Sequence, residues 1–303
     1  MIRKTASCAL LLLALFGCDD PLKSVDTIEE PRVLAARVEV EGDAARTSPN
    51  PGETVHVTWL VATPEGDALS GFGLAACSAS PRNHGVTSCA GDPFTIASAG
   101  PTSNRPRFDF SVPSDLDPTK NPLLAVLGSL CPDTTGSIDA SGAHCDGNTE
   151  LPVSLDFLLA RANDINHNPD FPSDAITLDG APWPALEATA EPCAGLGLPE
   201  LSYRKAEYPI EIAMPESARE SLVQTDASEP HRESLQLAHF ASSGDMSSAF
   251  SQLIYTDPAN SVHFGWATPK NLPPGGKVVR FWFVSRDGRG GSDFTERALC
   301  ALP

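Results

Sequence analysis

From Val33 onward the chain reads as short segments in which apolar and polar residues alternate, separated by clusters of Pro, Gly, Asp and Asn. A period of two sends successive side chains to opposite faces of a strand, so the pattern predicts an all-β sandwich rather than a helical protein. The clearest segment is TVHVTWLV, where Val55, Val57, Trp59 and Val61 share one face and His56 points outward, after the turn-forming PNPGE. Val38 and Val40 alternate upstream, and Phe108, Phe110 and Val112 downstream. LLAVLGSLC, 123 to 131, is apolar on both faces and suits a central strand. Val153, Leu155 and Phe157 add one more strand before the pattern breaks at ARANDINHNPDFPSD, which sets a domain boundary near residue 161.

The second half continues through YPIEIAM, ESLQLAHF, SVHFGWA and KVVRFWFV, again at strand spacing. Two segments, 215 to 222 and 245 to 254, compete as helices, but each is short for an isolated helix. Trp183 lies between prolines off any clear strand, which suggests a loop anchor at the domain interface or a partner contact. Most specific is VVRFWFVSRDGRGGSDFTERALC, where the glycines of Asp287-Gly288-Arg289-Gly290-Gly291 supply the positive φ angles of a tight hairpin. This hairpin resembles the closing pair of strands in immunoglobulin-like and PKD-like extracellular domains. The resemblance covers 175 to 303 and, more weakly, 33 to 112. It implies two tandem immunoglobulin-like β-sandwiches, 33 to 160 and 161 to 303.

The first residues change where such a chain is expected to live. Arg3 and Lys4 precede an apolar run from Ala9 to Phe16, the layout of an export signal over 1 to 17. That run is shorter than the roughly 20 residues a spanning helix needs. Leu15-Phe16-Gly17-Cys18 resembles the lipobox of bacterial lipoproteins, which implies that Cys18 is acylated and anchors the mature chain to a membrane. Residues 18 to 32, polar and acidic, read as a tether with nothing to pack against a core. The formal charge of −18 makes nucleic acid an improbable partner, because phosphate backbones are repelled.

With Cys8 in the signal and Cys18 lipidated, six of eight cysteines remain, an even number that reads as disulfides in an exported protein. Fifteen connectivities are open to Cys77, Cys89, Cys131, Cys145, Cys193 and Cys300. Local spacing suggests Cys77 with Cys89 and Cys131 with Cys145, leaving Cys193 for Cys300. A last-strand bridge departs from the immunoglobulin pattern, in which two central strands are joined.

Candidate chemistry is sparse. There is no GxSxG elbow and no HExxH, and the seven histidines are scattered singly, so an enzyme is not expected. Asp164, Asn166, Asn168 and Asp170 present oxygens at alternate positions, like the first half of a calcium loop. Pro169 takes the place of the required Gly and Ala175 that of the bidentate Glu, and an Asx-rich turn accounts for the same residues. No cofactor is expected, calcium being the one candidate. The expectation is a lipid-anchored cell-envelope lipoprotein, on the periplasmic face or the cell surface, acting as a non-catalytic binding or structural module. Its partner would be an envelope protein or a polysaccharide. The alternatives are an adhesion or envelope-complex subunit and a hydrolase with an unrecognised site.

Overall fold

The computed structural model describes residues 24–303 except 65–68, 81–86, 141, 162–164, 186–192, 194, 196, 205 and 223–230. The first half forms β1 (Arg32–Val40), β2 (Thr54–Ala62), β3 (Ser70–Ser78), β4 (Thr95–Ser103), β5 (Arg107–Ser111), β6 (Leu123–Pro132), β7 (Gly136–Asp139), β8 (Gly142–Cys145) and β9 (Leu151–Leu158). These pair as a three-stranded sheet, β1-β2-β5, facing a four-stranded one, β4-β3-β6-β9. Val55, Val57, Trp59 and Val61 fill the space between them with Leu74, Phe108, Phe110, Leu124, Val126 and Phe157. β6 is central, as its apolar run requires.

β3 is buried almost throughout, because one face meets the core and the other lies under the β7–β8 hairpin. That approach needs glycine: a Cβ on Gly73 would stand 2.1 Å from the Ser137 carbonyl oxygen. The Cys131–Cys145 disulfide staples the hairpin to β6.

The second half contributes β10 (Ile176–Leu178), β11 (Ala181–Pro182), β12 (Glu200–Ser202), β13 (Tyr208–Ala213), β14 (Ser221–Leu222), β15 (His231–Arg232), β16 (Leu235–Ala241), β17 (Asp245–Met246), β18 (Phe250–Leu253), β19 (Ser261–Ala267), β20 (Lys277–Arg286) and β21 (Ser292–Leu302). Two five-stranded sheets, β11-β10-β13-β19-β17 and β12-β21-β20-β16-β18, enclose Trp183, Ile210, Ile212, Leu237, Trp266, Phe281 and Phe283. The chain is thus all-β, two immunoglobulin-like sandwiches in tandem. The final hairpin forms as its glycines predict: β20 and β21 pair from Lys277 opposite Ala301 to Arg286 opposite Ser292, with Gly288 and Gly290 at positive φ.

Three expectations change. The helix candidate at 215 to 222 holds one 3-10 turn, Glu216–Ala218, followed by β14, and that at 245 to 254 becomes β17 and β18; pairing with neighbours outweighs local propensity in such short segments. Trp183 is a core residue of the second sandwich, not an interface anchor. Its indole N–H donates to the Ala298 carbonyl at 3.0 Å, and its ring meets Phe281 edge-on. Finally, the tether packs from Asp26 to Ile28. Ile28 N–H donates to the Ala241 carbonyl, and Ala241 N–H to that of Asp26, each at 2.9 Å.

Candidate functional site

The candidate site is the junction of the two sandwiches. β20 is apolar on both faces because it serves two cores: Phe281 and Phe283 face the second sandwich's interior, while Trp282 and Val284 face the first sandwich. They meet Leu34, Ala35, Leu60 and Ala62, and Ile28 is inserted among them with no exposed surface. Leu60 and Ala62 interrupt the alternation of β2 for this reason.

Polar contacts extend the seam. β1 is an edge strand, and an open edge is a template for unwanted pairing. Alternate carbonyls along it each accept from a side chain of the junction: Leu34 from Arg286, Ala36 from the Ser292 hydroxyl, and Val38 from Asn168 Nδ2 at 2.7 Å. Arg37 reaches Asp293 at 2.5 Å, and Arg105 reaches Glu296 at 2.8 Å.

This arrangement defines the role of NDINHNPD. Asn166 Nδ2 donates to Asp287 Oδ2 at 2.7 Å and to Thr47 Oγ1 at 3.0 Å, while Asn168 Oδ1 accepts from the Ser292 N–H at 3.0 Å. The two amide nitrogens and Asn168 Oδ1 are committed to different partners at the seam, while Asn166 Oδ1 is buried with no hydrogen-bond partner among the described residues. Asp170 is exposed, and Asp164 lies outside the described residues. The described asparagines of the calcium candidate thus splice the two sandwiches; among the described residues no group of three or more His, Cys, Asp or Glu side chains is arranged to hold a metal.

Beside the splice lies a charged cluster. Arg289 Nη1 donates to Glu220 Oε2 at 3.0 Å and Glu233 Oε1 at 3.4 Å, and Glu220 Oε1 meets His167 Nδ1 at 2.5 Å. Burial, reinforced by the negative charge of Asp287, pushes the Glu233 carboxyl up to about 7 against the pull of Arg289. Asp287 is likewise raised by burial, though the Arg289 and Gly291 N–H groups and the Asn166 amide stabilise its anion. Asp287 thereby shapes the hairpin turn. Its tip is seated on β9, where a Cβ on Gly290 (φ +107°) would lie 3.1 Å from Phe157 Cβ.

Two recesses flank the hairpin. One of about 390 Å³ is bounded by His231, Glu233, Tyr255, Asp287 and Arg289. The larger, about 760 Å³, lies between β1, β9 and the hairpin. Leu159 N–H bonds to the Pro122 carbonyl in continuation of the β6–β9 ladder. By the alternation of antiparallel ladders, the backbone groups of Ser154 and Leu158 turn away from β6, on the side of the larger recess that both residues line. It therefore has the β9 strand along one wall and the β20–β21 hairpin along another, an elongated lining suited to an extended chain.

The disulfides are Cys77–Cys89, Cys131–Cys145 and Cys193–Cys300, the pairs local spacing suggests. Cys18 and His84 lie outside the described residues. His56 faces outward and meets Asp109 at 2.9 Å, and His144 and His263 stand opposite Asp139 and Glu211. His231 packs edge-on against Tyr255. His239 is fully buried, stacked 3.7 Å from Phe264, and burial lowers its pKa to about 4. Sequence reasoning missed Ile28, Glu220, Glu233, Arg286 and Ser292 as junction residues. The only signal lay in the acids and arginines that bracket the glycine turn.

Three disulfides mark a chain that folds outside a reducing cytoplasm. Among the described residues no helix is long and apolar enough to cross a membrane. No protein-family model and no curated protein matches the sequence. Among solved structures, the chain is similar to a variant of Salmonella alpha-2-macroglobulin at 12% identity, over 91% of this chain and 15% of that one, with a TM-score of 0.23. It is also similar to the native conformation of E. coli alpha-2-macroglobulin at 10% identity, over 91% and 16%, with a TM-score of 0.20. The chain spans about a sixth of the length of either, and the fold assignment stands on the strand pairing described above.

Proposed function

We propose that this chain is a lipid-anchored envelope lipoprotein, attached through Cys18, that acts as a non-catalytic binding module rather than an enzyme. The observation that carries the binding role is the recess between β1, β9 and the β20–β21 hairpin, held open by a seam that fixes one sandwich against the other. The anchor rests on the lipobox resemblance of Leu15-Phe16-Gly17-Cys18 and agrees with the three disulfides. The partner that suits the recess is an extended protein segment lying between β9 and the hairpin, as expected for an envelope-complex subunit.

A photo-crosslinking residue in place of the exposed Ser154 tests this in cells. A discrete envelope protein crosslinked at Ser154, and lost when a bulky side chain is placed at the exposed recess residue Pro152 (Pro152→Trp), is the expected result. Hydrolysis of ester, peptide or glycoside substrates by the purified, disulfide-intact protein would overturn the non-catalytic reading.

A further inference from the structure

The docked N-terminal segment decides which part of the molecule meets the membrane. β20 pairs along one edge of β16 from Gln236 to Ala241. The other edge takes β18 from Leu235 to Ala238, and then Thr27, which bridges to Ala241. The N-terminal segment is therefore fixed to the second sandwich, about 10 Å along the strand from the last residue pair of β18. From Ser24 back to Cys18 is six residue steps, which reach at most about 20 Å even when fully extended. A chain acylated at Cys18 thus holds this edge close to the lipid.

The same edge carries much of the exposed apolar surface of the second sandwich. Val25, in the docked segment, is 67% exposed; Phe250, at the near end of β18, is 54% exposed, and Ile254 and Tyr255, which follow Leu253 at the far end of the same edge, are 48% and 54% exposed. Tyrosine is at home at the headgroup boundary, where one end of the ring stays apolar and the other wet, and phenylalanine and isoleucine supply the apolar face of elements that lie in that boundary. With a formal charge of −18 the chain gains no general attraction to anionic headgroups, so apolar contact and the acyl chains must supply the attachment.

We propose that the β18 edge of the second sandwich, with Val25, Phe250, Ile254 and Tyr255, lies against the bilayer, and that the docked segment 24–28 is a short leash that holds it there. The inference rests on acylation of Cys18. It makes the C-terminal sandwich the membrane-proximal one, although the anchor is at the N-terminus.

The test uses the full acylated protein in phosphatidylcholine vesicles that contain a headgroup-nitroxide lipid. A fluorophore is placed on Gln252→Cys in β18, or on Lys120→Cys in the first sandwich as the comparison. The expected result is loss of most of the fluorescence at 252 and little at 120. Phe250→Ser combined with Tyr255→Ser, both at exposed positions, should relieve the loss at 252, and Ile28→Asp, which undocks the leash, should bring the two positions together. Equal quenching, or stronger quenching at 120, in protein whose acyl mass is verified by mass spectrometry would overturn the proposal alone. Absence of the acyl mass would overturn the anchor reading and this proposal with it.

Discussion

Arg37 on β1 and Asp293 on β21 form a 2.5 Å ion pair across the junction, with side chains 23% and 15% exposed. Burial raises the Asp293 carboxyl in spite of Arg37 and the Phe294 and Phe171 N–H groups that bond to it. Removing Arg37 therefore strands a desolvated carboxylate. Arg37→Ala should cost about 2 kcal/mol in urea unfolding, and Arg37→Ala with Asp293→Asn should recover part of that loss. Strictly additive losses would show that the pair is not coupled.

Ile28 should matter more than its place in an acidic leader suggests. Truncating a fully buried isoleucine costs about 2–4 kcal/mol when its surroundings cannot collapse, and here they belong to two different sandwiches. Ile28→Ala should lower the melting temperature and increase proteolysis within the leader, whereas Val25→Ala should do neither.

The pH dependence of stability has two opposing parts. His239 titrates near 4 when folded and near 6.5 when unfolded, so its contribution is present above about 6.5 and lost as pH falls towards 4. Glu233 titrates near 7 when folded against 4.5 unfolded, so its contribution is present below 4.5 and lost as pH rises through 7. Each amounts to at most about 3 kcal/mol, and between pH 4.5 and 6.5 they cancel. Glu233→Gln should unmask a rise in stability up to pH 6.5 and leave the variant more stable than the parent at pH 8. An unchanged urea midpoint at pH 8 would refute the assignment.

Among the disulfides, Cys193–Cys300 closes the longest loop, a separation of 107 residues against 12 and 14. Replacing both of its cysteines by serine should cost about 5 kcal/mol, and the corresponding change at Cys131 and Cys145 about 3. Hydrogen exchange should separate the two. Losing Cys131–Cys145 releases the β7–β8 hairpin and exposes amides of β3.

Much of the architecture was legible in residue order. The phase of Val55, Val57, Trp59 and Val61 sets the inner face of β2, and the two-sided apolar run of β6 follows from its central place. Leu60 and Ala62 break that phase, and the break marks the seam, but it becomes readable only once a second domain supplies Trp282 and Val284. Trp183 escaped because its segment forms only two-residue pairing with β10, so no periodicity betrays a ring that enters the core from a loop. Asn166 and Asn168 were singled out for alternate oxygens. Their amide nitrogens, which bond β1, Thr47 and Asp287, carry no pattern along the chain. The Arg289 cluster draws Glu220 and Glu233 from far upstream, a convergence invisible before folding.

The shared use of β20 also sets a timetable. During synthesis and export the first sandwich can close as soon as β9 is available, but Leu34, Ala35, Leu60 and Ala62 stay uncovered until Trp282 and Val284 arrive more than a hundred residues later. Ile28 pairs with Ala241 earlier but is enclosed only when the same Trp282 and Val284 arrive. In that interval the half-made chain exposes an adhesive apolar strip, so its dependence on chaperones should be greatest just before the last hairpin emerges and should end with that hairpin.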